Sequence, residues 1–378
     1  MRALFRRLRQ GRFRYATLVR ILIYKKEILH NLDVFRKRFP NVGIAPVLKS
    51  NAYGHGLLQV AAILDREALP FFCVDSFFEA LILRNEEVKS PLLIIGYTPL
   101  ENILANKLKD VAFAIIGLEE LKRLASSLHR EVRIHLKLDT GMHRHGILPE
   151  EITEAIGIIK KSPHIILEGV YSHLADADKE NSRHAELQIA RWNDAAAQFK
   201  KELPSIRHLH LGATAGSRHS PRIDANVLRI GIGLYGISLG PDRLDLHPAL
   251  EMKTRITSLR TLEAGEYVGY NATFETKVKM RIASIPVGYT EGINRRLSNK
   301  GAITIRGISC PIVGRVSMNI TSIDVSAVPV VQLDDEVVVI SKEKSAPNSI
   351  EHMAELCDTI PYDLLVHIPQ HLRREVTE

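Results

Sequence analysis

The amino-acid sequence predicts an α/β fold, a (β/α)8 TIM-like barrel, followed by a mostly β C-terminal domain. Short apolar runs of strand length recur eight times between residues 44 and 235, and helical patterns lie between many of them. Near residue 246 the pattern changes to strand-like segments that Gly, Asn and Pro separate. Two domains are expected in a chain of 378 residues, because single hydrophobic cores stop growing at about 250 to 300 residues.

The apolar runs predict the eight barrel strands in chain order. They lie at 44–49, 70–75, 91–97, 111–117, 133–139, 165–174, 208–214 and 227–235. Apolar residues return every three or four positions at 56–67, 118–129 and 184–203, which is the spacing of helices with one buried face. Strands that alternate with helices are typical of parallel sheets, and eight repeats favour a closed barrel. A doubly wound open sheet has the same periodicity and is the alternative fold.

The C-terminal domain is predicted from strand-like segments with a single helical pattern near the end of the chain. The segments lie at 252–262, 278–289, 301–307, 308–316 and 335–342, and the helix at 349–357. The predicted division is a basic N-terminal extension over residues 1–18, the barrel over 19–245 and the β domain over 246–378.

The positive charge of the chain is concentrated in its first 38 residues. The formal net charge is +8, but residues 1–38 hold 12 Lys and Arg against 2 Asp and Glu, which leaves 39 against 41 in the rest. The sequence therefore predicts a solvated basic tail rather than a nucleic-acid partner, and a transit-like or membrane-surface segment is the alternative for this tail. No stretch approaches the roughly 20 apolar residues that span a bilayer, so no membrane association is expected.

The three cysteines, Cys73, Cys310 and Cys357, are far apart and lack the spacing of metal ligands. They are expected to be free thiols in a reducing compartment, and no metal site is predicted. The expected location is the cytoplasm.

Two lysines stand where a barrel places its functional groups, at the carboxyl ends of strands. Lys49 ends the first run, where an amine among apolar residues can serve as a nucleophile. Lys137 follows Arg133 and His135 on the alternate face of the fifth run. If that face points inward, Lys137 must be paired, deprotonated or modified, because burying a free ammonium is costly.

Other polar residues converge on the same rim. His173 and Asp178 follow the sixth run, Thr214 follows the seventh, and Arg229 in the eighth precedes two glycines. Glycines at such a turn let backbone N–H groups approach a phosphate. Together these residues outline a phosphate site opposite a lysine.

A reactive lysine and a phosphate cradle are the requirements of pyridoxal 5'-phosphate. Arg229 would be an unusual partner for the ring nitrogen of this cofactor, since a guanidinium cannot accept a proton and leaves the ring a weaker electron sink. Such a site suits racemisation and discourages transamination.

The chain resembles the alanine racemase family in an ordered set of motifs from about residue 19 to residue 365. They are "VLKSNAYGHG", "KLDTGMHRHG", "GVYSHLADAD", "LRIGIGLYG", "IPVGYTEGINRRLS" and "GRVSMN". The resemblance implies a pyridoxal-phosphate enzyme that interconverts L- and D-alanine through an external aldimine and supplies D-alanine for peptidoglycan. It also implies a homodimer in which each active site combines one barrel with the partner's β domain.

The resemblance assigns two catalytic bases. Lys49 resembles the internal-aldimine lysine, which also acts on the α-proton of the D-enantiomer, and Tyr289 resembles the base for the L-enantiomer. Because the two bases act on opposite faces, one removes the proton while the other returns it. His173 and Arg229 resemble the hydrogen-bonded residues that tune the tyrosine.

The remaining assignments concern the substrate and the cofactor. Arg144 resembles the arginine that holds the substrate carboxylate, and Lys137 the lysine that is carbamylated in many members. The backbone N–H of Met318 is expected to meet the substrate carboxylate. The phosphate-contacting positions match Tyr53, Thr214, Gly231 and Ile232, and the entrance positions match Asp178 and Arg315.

Three positions depart from the family pattern, and one of them, Ile230 in place of a common proline, is expected to be tolerated. Asn319 stands where an acid is usual, which predicts that a negative charge near Tyr289 is missing. Gln370 stands where a tyrosine normally touches the cofactor phosphate and narrows the entrance. A more open entrance would admit serine or larger amino acids, so a broad-specificity or serine racemase is one alternative.

Two further classes remain open at this stage. An amino-acid decarboxylase would need a different carboxylate arrangement from the one that Arg144 and Tyr289 indicate. A non-catalytic cofactor-binding protein would be expected to lack one base, whereas Lys49 and Tyr289 are both present.

Overall fold

The computed structural model describes residues 16–238, 240 and 244–378. It forms two compact units: a barrel unit of Ile23–Ala249 with Val376–Glu378, and a C-terminal unit of Leu250–Glu375 with the described residues up to Leu22. Residues 19–22 thus belong to the C-terminal unit and not, as the sequence analysis placed them, to the barrel. The physical reason is that their strand lies in the main sheet of that unit. Most of the predicted basic extension lies outside the described residues.

The barrel unit contains eight parallel strands that close on themselves. The third to eighth strands of the whole chain form one sheet in sequential order, and the second pairs with the ninth. A bridge from Val47 to Cys73 joins β2 to β3, and the N–H of Arg229 donates to Gly212 O at 3.0 Å to join β8 to β9. The strands are β2 (Gly43–Pro46), β3 (Phe72–Val74), β4 (Leu92–Ile94), β5 (Val111–Ile115), β6 (Val132–Lys137), β7 (Ile165–Tyr171), β8 (His208–His210) and β9 (Val227–Ile230).

The closure of the sheet confirms the predicted barrel. In a doubly wound sheet the first and last strands would be separated, whereas β2 and β9 pair directly from Gly43 with Val227 to Pro46 with Ile230. Each of the eight predicted runs overlaps one of these strands.

Helices connect most of the strands. Short 3-10 turns, Ala215–Arg222 and Ile232–Tyr235, follow β8 and β9, and a left-handed helical turn at Lys49–Tyr53 follows β2. The helices of the barrel unit are α1 (Lys25–Arg38), α2 (Leu57–Leu64), α3 (Phe77–Asn85), α4 (Leu100–Ala105), α5 (Leu118–Ser127), α6 (Ile152–Lys161) and α7 (Arg183–Glu202). The three helical patterns in the sequence correspond to α2, α5 and α7.

Helix α7 illustrates how the sequence specifies these elements. Ser182 caps its N-terminus by accepting from Ala185 N at 3.0 Å. One face buries Ile189, Trp192 and Phe199. Lys200 lies in its last turn, where positive charge complements the helix dipole. The fully buried Trp192 alone represents about 2 to 3 kcal/mol of transfer free energy.

The C-terminal unit is mostly β, as predicted. Its main sheet has the order β16-β15-β18-β10-β1-β19, a second sheet has the order β11-β14-β17, and β12 pairs with β13. Helices α8 (Ile350–Leu356) and α9 (Pro361–Val366) follow β18. The strands are β1 (Arg20–Tyr24), β10 (Leu250–Arg255), β11 (Ser258–Leu262), β12 (Tyr267–Val268), β13 (Phe274–Glu275), β14 (Met280–Ile285), β15 (Ala302–Ile305), β16 (Ile308–Pro311), β17 (Thr321–Asp324), β18 (Glu336–Ile340) and β19 (Arg374–Thr377).

The cysteines are buried free thiols. Among the helices of the described residues, none combines the length and apolar character that crossing a membrane requires. The compartment stays a prediction.

Candidate active site

A left-handed turn presents Lys49 at the carboxyl end of β2. Residues 50–53 have φ values of 56°, 56°, 51° and 53°, which is costly for residues with a Cβ. Asn51 holds the turn in place: its N–H donates to Glu79 Oε1 at 3.2 Å, and its Oδ1 accepts from Leu57 N at 2.9 Å. The backbone therefore changes to a left-handed turn directly after β2. The Lys49 side chain lies half-buried at the barrel mouth.

The turn after β9 forms a group of hydrogen-bond donors. The Tyr53 hydroxyl packs on Gly231, where a Cβ would lie only 2.6 Å from the hydroxyl oxygen. Thr214 Oγ1 accepts from Gly233 N at 3.1 Å, and its own O–H is a further donor. Within the described chain, no acceptor is found for the N–H groups of Gly231 and Ile232. Convergent N–H and O–H groups of this kind bind anions.

Arg229 is buried below this rim without a carboxylate. Its Nη1 donates to Nδ1 and to the carbonyl of His210, both at 2.7 Å. Its Nη2 donates to the carbonyls of Ser172 at 2.7 Å and Leu211 at 3.1 Å. Burial lowers the pKa of Arg229 from its usual value. Among the described residues, no carboxylate oxygen lies within 4.0 Å of its guanidinium.

His173 lies beside Arg229 and is neutral. Nη2 of Arg229 approaches its Nδ1 at 3.4 Å. Burial, followed by the charges of Arg229 and Arg144, lowers the pKa of His173 to about 3. The imidazole therefore carries no charge at physiological pH.

Lys137 ends β6 in the barrel interior with 7% of its surface exposed. Its Nζ lies 5.9 Å from the centre of the Tyr171 ring, and in the described part of the chain no carboxylate comes within 4.0 Å of it. Burial, followed by the charges of Arg144 and Arg229, lowers the pKa of Lys137 to about 8. A large fraction of this amine is thus neutral near pH 8.

Arg144 and Asp178 occupy the loops above the barrel mouth, and both are exposed. Asp139 shapes the first of these loops by accepting from Gly141 N at 2.8 Å and His143 N at 3.1 Å. The Arg144 guanidinium is directed to no carboxylate of a described residue, which leaves it available to an external anion.

In the C-terminal unit, Tyr289 and Met318 lie on adjoining loops. Tyr289 N donates to Ser317 O and Thr290 N donates to Met318 O, each at 3.0 Å. Gly288 permits this approach, since a Cβ there would lie 2.2 Å from Ser317 O. The Tyr289 side chain is 44% exposed, and no acceptor for the N–H of Met318 is found among the described residues.

Asn319 is bonded to a carboxylate that belongs to the tyrosine turn itself. Its Nδ2 donates to Glu291 Oε1 at 2.8 Å, and Glu291 Oε2 accepts from Gly288 N at 2.8 Å. The effect expected from Asn319 on the charge near Tyr289 stays a prediction, and the turn itself contains the buried carboxylate of Glu291, which Asn319 contacts.

Arg315 and Gln370 have less defined surroundings. Arg315 is half-buried, and its Nε has no partner among the described residues. Gln370 lies in an exposed turn after α9, where its carbonyl accepts from Arg374 Nη1 at 3.3 Å. Its side chain makes no hydrogen bond with a described residue.

One group in the described chain brings metal-binding residue types together, namely His30, Asp245 and His247. The two rings are stacked, with centres 4.1 Å apart and planes 12° from parallel. A metal ion lies in the plane of each imidazole that binds it, so one ion cannot bind both rings in this arrangement. Instead, Nδ1 of His247 is bonded to Glu27 Oε2 at 2.8 Å, which ties α1 to the segment before β10.

Two residues of the site escaped the sequence analysis. His210 contacts Arg229 directly. The feature that could have identified it is its inward position on β8, beside the inward His135 of β6. The sequence indicates Glu291 less clearly, because its only distinguishing feature is a carboxylate in the same turn as Tyr289.

Family models match most of the chain in two parts. The model described as "Alanine racemase, N-terminal domain" matches residues 23–239. The model described as "Alanine racemase, C-terminal domain" matches residues 249–376.

Related proteins and solved structures agree with these matches. Alanine racemase of Syntrophobacter fumaroxidans is 36% identical over 349 residues, which cover 90% of this chain and 92% of that protein. Alanine racemase 1 of Caldanaerobacter subterraneus subsp. tengcongensis is 34% identical over 363 residues, 94% of each chain. The crystal structure of alanine racemase from Bacillus anthracis with bound L-Ala-P has a TM-score of 0.88 and 27% identity, covering 97% of this chain and 96% of that one.

Proposed function

Because this chain belongs to the alanine racemase family, we propose that it interconverts L-alanine and D-alanine with pyridoxal phosphate as its cofactor. The product, D-alanine, would serve peptidoglycan synthesis in the cytoplasm. The observation that carries the proposal is a buried guanidinium without a carboxylate, Arg229, in the barrel whose mouth presents the amine of Lys49.

The residues at the barrel mouth fit this cofactor. Lys49 would hold it covalently through Nζ, and the donors around Gly231 would bind its phosphate. Those donors are Tyr53, Thr214 and the N–H groups of Gly231 and Ile232. When bound, pyridoxal phosphate supplies an electron-withdrawing ring that acidifies the α-proton of an amino acid. Arg229 can only donate a hydrogen bond to the ring nitrogen, which favours racemisation over transamination.

Two bases complete the proposed mechanism. Lys49 Nζ takes or returns the α-proton on one face, and Tyr289 Oη does so on the other. Tyr289 belongs to the C-terminal unit and is exposed, so we propose that a second copy of the chain supplies it to each barrel in a homodimer. Neutral His173, which lies beside Arg229, would share a hydrogen bond with that tyrosine without adding charge.

The substrate carboxylate would be held by Arg144 and by the N–H of Met318. Lys137 is proposed to be carbamylated: its neutral amine adds to carbon dioxide, forming a C–N bond and releasing one proton. The product is an anion that can pair with Arg144. A lowered pKa of about 8 makes the neutral amine available for this reaction.

The proposed function is tested by racemisation of L-alanine, L-serine and L-lysine by purified protein with added pyridoxal phosphate. A strong preference for alanine is expected. Comparable rates on serine or lysine would mean that Gln370 leaves the entrance open and that the chain is a broad-specificity racemase. Turnover of none of the three, with cofactor bound at Lys49, would contradict the proposal and favour a non-catalytic binding protein. Lys49→Ala is the matched control for cofactor attachment.

A further inference from the structure

A row of polar side chains crosses the barrel interior beneath Arg229. His210 Nδ1 is 2.7 Å from Arg229 Nη1, and His210 Nε2 is 2.8 Å from His135 Nδ1. Beyond it, His135 Nε2 is 4.0 Å from Glu168 Oε2. Both histidines are buried, with 1% or less of their surface exposed, whereas 16% of the Glu168 side chain is exposed. We call His210, His135 and Glu168 the His–His–Glu row.

The guanidinium of Arg229 fixes the direction of two hydrogen bonds, from Arg229 to His210 and from His210 to His135, whereas Glu168 lies only within electrostatic range of His135. A guanidinium only donates, so His210 Nδ1 accepts and the proton of this ring is on Nε2. His210 Nε2–H then donates to His135 Nδ1, which places the proton of His135 on Nε2, facing Glu168. Both rings are neutral in this arrangement, and burial lowers the pKa of both well below the usual histidine value.

Two local features of β7 bring the row together. The pairing of β6 with β7 shifts by one residue between Ile134 and His135, so that Glu168 is an extra residue in a β-bulge. The next residue, Gly169, makes room for the imidazole, because a Cβ there would lie 2.6 Å from His135 Nδ1. Both features accommodate the His135 ring next to Glu168.

The buried positive charge of Arg229 indicates what the row does. Arg229 is buried and has no carboxylate of a described residue within 4.0 Å, so its positive charge needs compensation at longer range. Glu168 is the carboxylate at the far end of the row. It also lies near Arg133, whose Nε is 3.5 Å from Glu168 Oε1. The two neutral imidazoles lie between this carboxylate and the guanidinium, and their N–H groups point towards the carboxylate.

We propose that the His–His–Glu row is a positioning device that sets the direction and donor strength of Arg229 towards the cofactor ring. The proposal rests on the proposed function for its catalytic consequence, but the row itself is a property of the protein alone. His210, His135 and Glu168 act through Arg229 and touch neither substrate nor cofactor.

The row is tested first without cofactor, by ¹⁵N NMR of the histidine side chains in the apo protein. Nδ1 of His210 and of His135 should both give resonances of unprotonated nitrogen, and Glu168→Gln should shift both of them. A protonated Nδ1 on either ring, or resonances that Glu168→Gln leaves unchanged, would overturn the proposal whether or not the protein is a racemase.

The catalytic consequence is tested in the loaded enzyme with ¹⁵N-labelled pyridoxal phosphate. Glu168→Gln should shift the resonance of the ring nitrogen and lower kcat about tenfold with little change in KM, the scale expected when a charge-assisted hydrogen bond is weakened. Glu168→Asp keeps the charge and should recover part of the loss. Asp110→Asn is the matched control, since Asp110 also lies beside Arg133, at 3.2 Å, but is not part of the row.

An unchanged ring-nitrogen resonance and an unchanged kcat in Glu168→Gln, with cofactor bound, would refute the positioning role. If the wild-type protein itself fails to racemise alanine, the proposed function fails instead, and the apo measurement still decides whether the row exists.

Discussion

Single residues at the barrel mouth carry positive charge that burial makes costly. Lys137 and Arg229 both lie in the barrel interior without a carboxylate of a described residue within 4.0 Å. Sequence reasoning found these residues because charged side chains interrupt strands that are otherwise apolar. It could not find their partners, because the contact of Arg229 with His210 depends on the register of β8 and β9, which periodicity does not reveal.

The buried ammonium of Lys137 predicts a pH-dependent stability. Its pKa falls from the usual 10.5 to about 8 in the folded protein, so folding is penalised fully below pH 8 and the penalty disappears as the pH rises to about 10.5. Lys137→Met should therefore be more stable than wild type at pH 7, and the difference should vanish near pH 10.5. Denaturant unfolding in buffer free of carbon dioxide measures this, and Lys107→Met at an exposed site is the control. Equal pH dependence in both variants would contradict the prediction.

The contact of Tyr53 with Gly231 predicts a specific loss of anion binding. In Gly231→Ala the new Cβ would lie 2.6 Å from the Tyr53 hydroxyl and displace it from the cradle. The Kd for pyridoxal phosphate, measured by fluorescence titration, should rise about tenfold or more if one charge-assisted hydrogen bond is lost. Gly157→Ala in α6, where a Cβ meets nothing within 4 Å, should bind the cofactor normally. Unaltered binding by Gly231→Ala would show that the cradle lies elsewhere.

The sequence predicts the barrel strands, but not the short strands of the C-terminal unit or the left-handed turn after Lys49. Most barrel strands were predictable because they are short, largely apolar runs, and β3, β4 and β5 are buried on both faces. Strands β12, β13, β17 and β19 were not predicted, since they have two to four residues each and little apolar pattern. The left-handed turn after Lys49 was likewise hidden, because contacts such as that between Asn51 and Glu79 stabilise it and no local preference does.

The contact between Asn319 and Glu291, in the turn that contains Tyr289, predicts the effect of a second negative charge at this position. Asn319→Asp would place two carboxylates at the 2.8 Å separation that Asn319 Nδ2 and Glu291 Oε1 have now. Like charges at that distance raise the pKa of the pair, so the variant should lose stability at neutral pH and regain it under mildly acidic conditions. Thermal unfolding at pH 7 and pH 5 measures the effect. The double variant Asn319→Asp with Glu291→Gln should restore stability at pH 7, and if it does not, the repulsion is not the cause.

The whole molecule combines two units that each hold only part of the proposed chemistry. Lys49, Arg144 and Arg229 belong to the barrel unit, whereas Tyr289 and Met318 belong to the C-terminal unit. The sequence located both sets through the family motifs, but nothing in its composition or periodicity indicates a symmetric interface. The shared active site of a homodimer is therefore the part of the proposal that most needs a direct measurement.

That measurement is the activity of a heterodimer, purified through two different tags, in which one chain carries Lys49→Ala and the other Tyr289→Phe. If each site takes Lys49 from one chain and Tyr289 from the other, one of the two sites is intact. The heterodimer should then racemise L-alanine at about half the wild-type rate, while both mutant homodimers stay inactive. A heterodimer as inactive as the homodimers, or a wild-type monomer that racemises alanine, would contradict a two-base site shared between two chains.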